Sequence, residues 1–215
     1  MLRRADALIA IHNNDAKALR TLVPGKAVIN VGVDFSATDV GPPSRAPNIL
    51  LVAHLNQLNV KGIRDFLRFA WPLIKTAIPD TQFVVVGKVG EAITCGDHQV
   101  KIVGVVDSLA PYYRDARVVI NPAVAGTGLK IKTLEAIAYF RPVVAWPNGV
   151  DGIPPGARGL CRVAENWYDF AEQTIALLKD GEQPTESGLD RELIRRELSP
   201  DGVYGELSVW LHSLG

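Results

Sequence analysis

The sequence has few cysteines, no net charge and no long apolar run. Its two cysteines, Cys95 and Cys161, belong to no CxxC and lie near no histidine cluster, so neither a zinc site nor a disulfide framework is indicated. The 23 basic residues balance the 23 acidic ones, which argues against a dedicated nucleic-acid-binding protein but not against a local phosphate site. The longest apolar runs, such as residues 7–11, have five residues, whereas a membrane-spanning helix needs about 20. We therefore expect a cytoplasmic protein with reduced thiols, and peripheral attachment at the inner face of the membrane stays open.

What the sequence does contain is an alternation of short apolar strands and helical stretches. We expect strands at residues 7–11, 27–31, 48–53, 81–87, 100–104, 117–121, 142–146 and 158–163. We expect helices at residues 13–22, 60–78, 109–116, 129–139, 166–179, 186–197 and 200–214. Apolar strands that are each followed by a helix are typical of a parallel sheet covered on both faces. The pattern therefore predicts an α/β fold with a doubly wound parallel sheet.

A segment rich in proline divides the chain. Residues 41–47 contain three prolines and a glycine, which can continue neither a helix nor a central strand, so residues 36–47 are interpreted as a linker. Residues 48–198 then form the main domain and residues 199–215 a C-terminal helix. Residues 1–35 give a single β-α-β unit, which is too small to be a stable domain. This unit either joins the main sheet or is the tail of an incomplete N-terminal domain. The linker favours the second alternative, and with it a truncated or split chain.

The most informative segment runs from a strand through a glycine turn into a helix. Gly126 and Gly128 let the backbone approach a ligand closely, and the helix that follows offers free N–H groups and a dipole that favour an anion. Lys130 and Lys132 lie at that same end, which makes sense if a phosphate neutralises them. Glu135 shares a helix face with Lys132, where a carboxylate suits a ribose diol. The alternative is a plain helix start with a surface Lys–Glu pair. A third glycine and a P-loop are both lacking.

Further candidates follow other strand ends. His54 and Lys61 follow the first strand of the main domain, and the His54 imidazole is either a phosphate ligand or a solvated loop residue. Gly87 and Lys88 form either a binding turn or an ordinary basic turn. The backbone near Val106 can reach a nucleobase, whereas Asp107 is also explained as a helix N-cap.

In their order and spacing, these segments resemble the group 1 (family 4-like) glycosyltransferases of the GT-B fold, and specifically their C-terminal, nucleotide-sugar-binding domain. Residues 103–113 resemble the motif G-x-V-x-D-L-x-x-Y, and residues 126–144 resemble G-x-G-x-x-x-K-x-L-E-A-x-A-x-G-x-P-V-V. Residues 5–11 and 31–34 resemble the end of the family's N-terminal domain. Residues 49–62 resemble the first strand and phosphate loop of the family's C-terminal domain. Residues 83–87 resemble a later strand of that domain.

The resemblance implies two Rossmann-like domains with the active site in the cleft between them, the donor on the C-terminal domain and the acceptor on the N-terminal one. It implies that Glu135 holds the ribose and that Lys132 and His54 act with it as the catalytic group. It further implies a set of donor-binding positions, namely Gly126, Thr127, Gly128, Leu129, Lys130, Thr133, Lys61, Gly87, Lys88, Val106 and Asp107. No metal or cofactor is expected, because positive side chains and a helix N-terminus stabilise the leaving diphosphate.

Three positions depart from the family pattern. Thr127 stands eight residues before Glu135, where many members carry another glutamate, so recognition of the donor sugar lacks that acid. His54 replaces a usual arginine. Phe140 replaces a glycine after the helix, and a left-handed conformation there would cost about 1 kcal/mol.

The expected function is transfer of a sugar from a nucleoside-diphosphate sugar, with retention of configuration, to an unknown glycan, lipid or small-molecule acceptor. The chain would be mainly the donor-binding half and would need the missing N-terminal domain. One alternative is a non-catalytic nucleotide-sugar-binding or partner module of a split enzyme. Another is an unrelated doubly wound enzyme, such as a nucleotide-sugar epimerase or a dehydrogenase.

Overall fold

The chain forms a six-stranded parallel sheet flanked by helices and, separately, a two-stranded parallel sheet near its start. A computed structural model describes residues 4–126, 128–179 and 190–214. The two-stranded sheet consists of β1 (Ala7–Ala10) and β2 (Ala27–Asn30). The large sheet consists of β3 (Asn48–Val52), β4 (Gln82–Val86), β5 (Val100–Gly104), β6 (Val118–Asn121), β7 (Val143–Ala145) and β8 (Cys161–Val163).

The described helices follow the alternation that the sequence predicts. They are α1 (Asn13–Leu22), α2 (Gln57–Asp65), α3 (Trp71–Ala77), α4 (Ala110–Asp115), α5 (Ile131–Ala138), α6 (Trp167–Leu178), α7 (Arg191–Leu198) and α8 (Pro200–His212). The start predicted for the helix at residues 186–197 lies outside the described residues. No helix in the described part of the chain is long and apolar enough to cross a bilayer.

The large sheet has the strand order β5-β4-β3-β6-β7-β8, with every pair parallel. Alternate residues of β3 face opposite layers. Ile49 and Leu51 pack with α2, α3 and α6, whereas Leu50 packs with α4 and α5. The predicted doubly wound sheet is thus confirmed. Its strand order reverses between β3 and β6, and ligands of such sheets bind outside the carboxyl ends of the strands at that point.

Several local features differ from the sequence-based expectations. The helix expected at residues 60–78 starts earlier, because the Asn56 side chain accepts a hydrogen bond from the Asn59 N–H. Its middle, Phe66–Ala70, is π-helical, and Pro72 occupies the first turn of α3, where its missing N–H costs least. Asp107 does not cap α4, whose N-cap is Leu109 without any side-chain hydrogen bond.

Two further expectations about local structure need correction. The ring of His12, and not an asparagine, caps α1 by accepting the Asn14 N–H at 3.2 Å. Lys88–Ala92 forms a 3-10 turn in a segment for which no element was predicted.

The N-terminal unit does not join the main sheet, and the segment that follows it is not a free spacer. The Thr38 N–H donates to the Ala138 carbonyl at 2.8 Å, and the buried Arg141 donates to the Gly41 carbonyl at 2.9 Å. Residues 36–47 therefore lie against the main domain. Helix α8 packs against β2, and the Tyr204 hydroxyl donates to the Asp34 carboxylate at 2.6 Å.

Candidate functional site

A cavity of about 390 Å³ opens at the carboxyl ends of β3, β4 and β5, beside the start of α5. We call it the central cavity. It is lined by Val52, Ala53, His54, Asn56, Asn59, Val86, Gly87, Lys88, Val105, Val106, Leu109, Leu129, Ile131, Lys132 and Glu135. The sheet thus brings together seven of the residues that the sequence singles out, although they are up to 81 positions apart in the chain. They are His54, Gly87, Lys88, Val106, Leu129, Lys132 and Glu135.

A second, more polar cavity of about 310 Å³ adjoins it and shares four lining residues with it, Asn56, Asn59, Leu129 and Lys132. Its other walls include Gly126 and Lys130 of the glycine loop. The two cavities therefore lie side by side at the start of α5. Together they offer an apolar end near Val105 and Val106 and an amide-rich, basic end near Lys130.

Both glycines of the loop before α5 have a positive φ. Gly126 and Gly128 have φ angles of 148° and 76°, which L side chains rarely adopt. Lys130 is the N-cap of α5 and makes no side-chain capping hydrogen bond, because an ammonium group has no acceptor for a backbone N–H. Its Nζ donates instead to the Gly126 carbonyl at 3.1 Å. The first turn of α5 therefore starts without a capping side chain. Thr127 lies outside the described residues.

Lys132 is a half-buried cation between the two cavities. Burial lowers its pKa, and repulsion by Lys130 lowers it further. Within the described residues no carboxylate forms an ion pair with it. An anion bound at the start of α5 would reverse both effects, because it would stabilise the charged ammonium group. This arrangement suits a phosphate or diphosphate.

Glu135 is half-buried one turn further along α5 and faces the central cavity. Its Oε2 accepts a hydrogen bond from the Tyr113 hydroxyl at 2.9 Å. Burial raises the pKa of Glu135, while the Tyr113 hydrogen bond and the nearby His54 oppose that rise. Burial, with the charge of Glu135, also raises the pKa of Tyr113 well above its usual value, so this phenol stays protonated and acts as a donor.

Of the predicted binding residues, Gly126 and Lys130 line only the second cavity, and Gly128 lines neither cavity. Three more also line neither cavity. Thr133 is fully buried, and its hydroxyl donates to the Gly149 carbonyl at 2.7 Å, so it holds a neighbouring loop. Lys61 is exposed in a separate surface groove, where it pairs with Asp65. Asp107 is exposed and does not line the cavity.

Gly87 has a structural reason to be glycine. Its φ is 105°, and an added Cβ would lie 2.3 Å from the Ala53 carbonyl oxygen, so the ends of β3 and β4 meet only because no side chain intervenes. His54 and Lys88 lie at the exposed rim of the central cavity. Within the described ranges, no group of three or more His, Cys, Asp or Glu residues is arranged to hold a metal ion.

Sequence reasoning missed Tyr113 and the two asparagines Asn59 and Asn121. Tyr113 appeared only as a letter in a motif, and its contact with Glu135 depends on the packing of α4 against α5. Asn59 is buried and donates to the His54 carbonyl at 2.7 Å. Asn121 is buried and donates to the Thr133 hydroxyl at 3.2 Å. An asparagine at a strand end or in a helix start is a common sequence feature, and nothing local marks these two.

The profile of the family described as "Glycosyl transferases group 1" matches residues 46–180. No curated protein matches the sequence significantly. Similar solved structures include TarM of S. aureus, with 16% identity, a TM-score of 0.75 and coverage of 98% of this chain and 44% of that one. They also include a glycosyltransferase of Rickettsia africae, with 15% identity, a TM-score of 0.72 and coverage of 97% and 64%. HepE of Anabaena, in complex with UDP and glucose, shows 14% identity, a TM-score of 0.64 and coverage of 97% and 64%. At these identities the similarity shows the fold, and the chain spans only part of each neighbour's length.

Proposed function

Because this chain belongs to the group 1 glycosyltransferases, we propose that it is the donor-binding half of an enzyme that transfers a sugar from a nucleoside-diphosphate sugar. The observation that carries the proposal is the start of α5, where a helix end without a capping side chain, the half-buried Lys132 and the half-buried Glu135 face two adjoining cavities. The helix end and Lys132 suit a diphosphate, and Glu135 suits the ribose that is bonded to it.

The diphosphate would lie against the first turn of α5. During transfer, the bond between the anomeric carbon and the diphosphate oxygen breaks, and a bond to the acceptor hydroxyl oxygen forms. The nucleoside diphosphate leaves with the bonding electron pair, and the proton of the acceptor hydroxyl passes to the phosphate oxygen that is released. Lys130, Lys132 and the free N–H groups of α5 would stabilise the charge that develops on the leaving oxygen. The resemblance suggests that the sugar keeps its anomeric configuration.

The nucleoside would occupy the central cavity. The Glu135 carboxylate can accept hydrogen bonds from the ribose hydroxyls, and the exposed His54 can contact phosphate. Val105, Val106 and Ile131 offer apolar surface for a base. HepE and the pneumococcal O-GlcNAc transferase GtfA have been crystallised with UDP, which makes UDP the first nucleotide to test. The acceptor, whether a glycan, a lipid or a small molecule, would come from the other side of the cleft.

A binding titration tests this assignment. We expect UDP, GDP or ADP, or one of their sugars, to bind the chain at or below millimolar concentration, and Lys132→Ala and Glu135→Gln each to weaken binding at least tenfold, since each removes a charged hydrogen-bonding partner. The matched controls are Lys17→Ala and Glu172→Gln, which change exposed residues on α1 and α6. If none of the nucleotides binds, or if the site variants bind as well as the controls, the assignment is refuted.

A second candidate function is nucleotide-sugar binding without transfer, as one module of a split enzyme. It is favoured by the separate two-stranded sheet of the N-terminal unit, on which Ile9 and Ile11 remain exposed. Assays of transfer with and without a supplied N-terminal domain of a related enzyme distinguish the two functions. Transfer by the chain alone would exclude the second candidate, whereas binding with no transfer under either condition would favour it.

A further inference from the structure

Tyr113 is placed to act on the nucleotide without touching it. The residue lies on α4, is fully buried and does not line the central cavity. Its hydroxyl nevertheless donates to Oε2 of Glu135, which does line that cavity. Any influence of Tyr113 on a ligand in the cavity therefore passes through the Glu135 carboxylate.

The tyrosine is itself held from two sides. Its ring stacks on the ring of Tyr139, the residue that follows α5, with the centroids 4.2 Å apart and the planes at 12°. Its backbone carbonyl accepts a hydrogen bond from Nε of the buried Arg141 at 2.6 Å. The hydroxyl therefore has little freedom to move away from Glu135.

A fixed hydrogen-bond donor matters for a glutamate that binds the two hydroxyls of a ribose. A free glutamate on a helix surface samples several rotamers, and holding it in one of them costs side-chain entropy when a ligand binds. Here Oε2 already has a partner, so the carboxylate is oriented before the ligand arrives. Among the described side chains, Tyr113 is the one that hydrogen-bonds to this carboxylate.

We propose that Tyr113 is a positioning residue, which holds one carboxylate oxygen of Glu135 so that the other accepts the ribose hydroxyls of the bound nucleotide. This inference rests on the proposed function, because it requires a nucleoside in the central cavity. It assigns a task to a side chain that the ligand never contacts.

The electrostatic surroundings support this role. Burial disfavours the charged form of Glu135, and the hydrogen bond from Tyr113 counteracts that effect. The other titratable groups near the carboxylate are His54 at the end of β3, Tyr139, and Lys132 on the same helix. Loss of the Tyr113 hydroxyl would leave a half-buried carboxylate with less support for its charge.

The test is a thermodynamic cycle on the full chain. Nucleotide affinity is measured with and without the Tyr113 hydroxyl, and with and without each ribose hydroxyl of the ligand. UDP is compared with 2′-deoxy-UDP and 3′-deoxy-UDP, and wild type is compared with Tyr113→Phe. In wild type we expect at least one deoxy ligand to bind about tenfold more weakly than UDP, because a charged acceptor loses its donor. In Tyr113→Phe this ratio should fall towards one, mainly because UDP binds less tightly. Tyr112→Phe is the matched control, since it removes a half-exposed hydroxyl from the same helix.

A second variant keeps the test decisive if Tyr113→Phe fails to fold. Glu135→Asp keeps the charge but shortens the side chain by one methylene, so one carboxylate cannot reach Tyr113 and the ribose together. It should lose the same discrimination between UDP and the deoxy ligands. Discrimination that stays at the wild-type level in Glu135→Asp or in Tyr113→Phe overturns the proposal.

The remaining outcomes separate this inference from the proposed function. If Tyr113→Phe weakens UDP and both deoxy ligands by the same factor, Tyr113 only stabilises the fold and the positioning role is overturned. If wild type binds UDP but does not discriminate against either deoxy ligand, the ribose role of Glu135 and this inference fail while donor binding stands. If wild type binds none of the nucleotides, the proposed function fails and takes this inference with it.

Discussion

Phe140 offers a test of backbone strain against side-chain packing. The strained backbone at this residue destabilises the fold, whereas burial of its ring stabilises the fold by a larger amount. Phe140 is the only non-glycine residue with a positive φ in the described chain, at 54°, and it lies two residues after the end of α5. Its ring is nevertheless buried, with 2% of its surface exposed, and lies under the guanidinium groups of Arg191 and Arg195 at 4.8 and 5.3 Å. Left-handed backbone strain for an L residue is about 1–2 kcal/mol, whereas truncation of a buried phenylalanine to alanine costs about 3–5 kcal/mol.

These magnitudes predict an unusual order of stabilities. Phe140→Ala loses the buried ring and keeps a Cβ in the strained conformation, so we expect it to be the least stable. Phe140→Gly loses the same ring but relieves the strain, so it should be about 1 kcal/mol more stable than Phe140→Ala. Both should be less stable than wild type, because the packing exceeds the strain.

Urea unfolding of the three proteins measures this order directly. The control is Ala176→Gly in the last turn of α6, where glycine should be up to about 1 kcal/mol less stable than alanine. The sign of the Ala-to-Gly difference should therefore reverse between positions 140 and 176. Equal or greater stability of Phe140→Ala relative to Phe140→Gly would refute the assignment of backbone strain.

Three other predictions concern the rim of the site, an acid-sensitive ion pair and the pH range of binding. Gly87→Ala should destabilise the chain by more than about 2 kcal/mol, since its Cβ would collide with the Ala53 carbonyl at a positive φ, whereas Gly96→Ala should be neutral in the same urea assay. Lys75, together with Trp71 and a backbone N–H, lowers the pKa of Asp97 from 3.8 to about 2, so its stabilising contribution is present above pH 4 and is lost as the pH falls towards 2. Unfolding free energies of Asp97→Asn should lack that dependence, and an unchanged slope would contradict it. Burial raises the pKa of Glu135, so nucleotide affinity should fall as the pH drops through a range above that of an ordinary glutamate, and Glu135→Gln should abolish this acid limb in titrations at several pH values.

Local patterns were enough to predict most of the architecture. Apolar runs such as those of β3 and β6 are short and continuous because both faces of the sheet are covered, and this signal lies within a few residues of sequence. The glycine loop was predictable for the same reason, since Gly126, Gly128 and the helix that follows are adjacent in the chain. Boundaries that depend on a single cap, such as the start of α2 at Asn56, were less predictable.

The contents of the site were only partly predictable, because burial decides which candidates face the cavity. Thr133 and Lys132 are neighbours in sequence, yet Thr133 points into the core and Lys132 lines both cavities. Lys61 follows the correct strand but lies on the outer face of α2, beside Asp65. Successive side chains of a helix point in directions about 100° apart around its axis, so a motif alone does not tell which of two neighbours reaches the ligand.

The segment between the two sheets contains neither helix nor strand, as its prolines predict. The prolines do not predict, however, which groups this segment packs against. Prolines exclude helix and central strand, but they leave carbonyl groups, and a buried carbonyl needs a donor. Arg141 supplies donors to the carbonyls of Gly41 and Pro42, and Arg117 to those of Ser44 and Arg45. An arginine carries five N–H donors in a fixed plane, which suits an irregular backbone that no strand can pair with. Because Arg141 also binds the Tyr113 carbonyl, the same guanidinium group fixes this segment and the helix that carries the tyrosine beside Glu135. Sequence separations of about 70 to 100 residues hide such contacts from any local pattern.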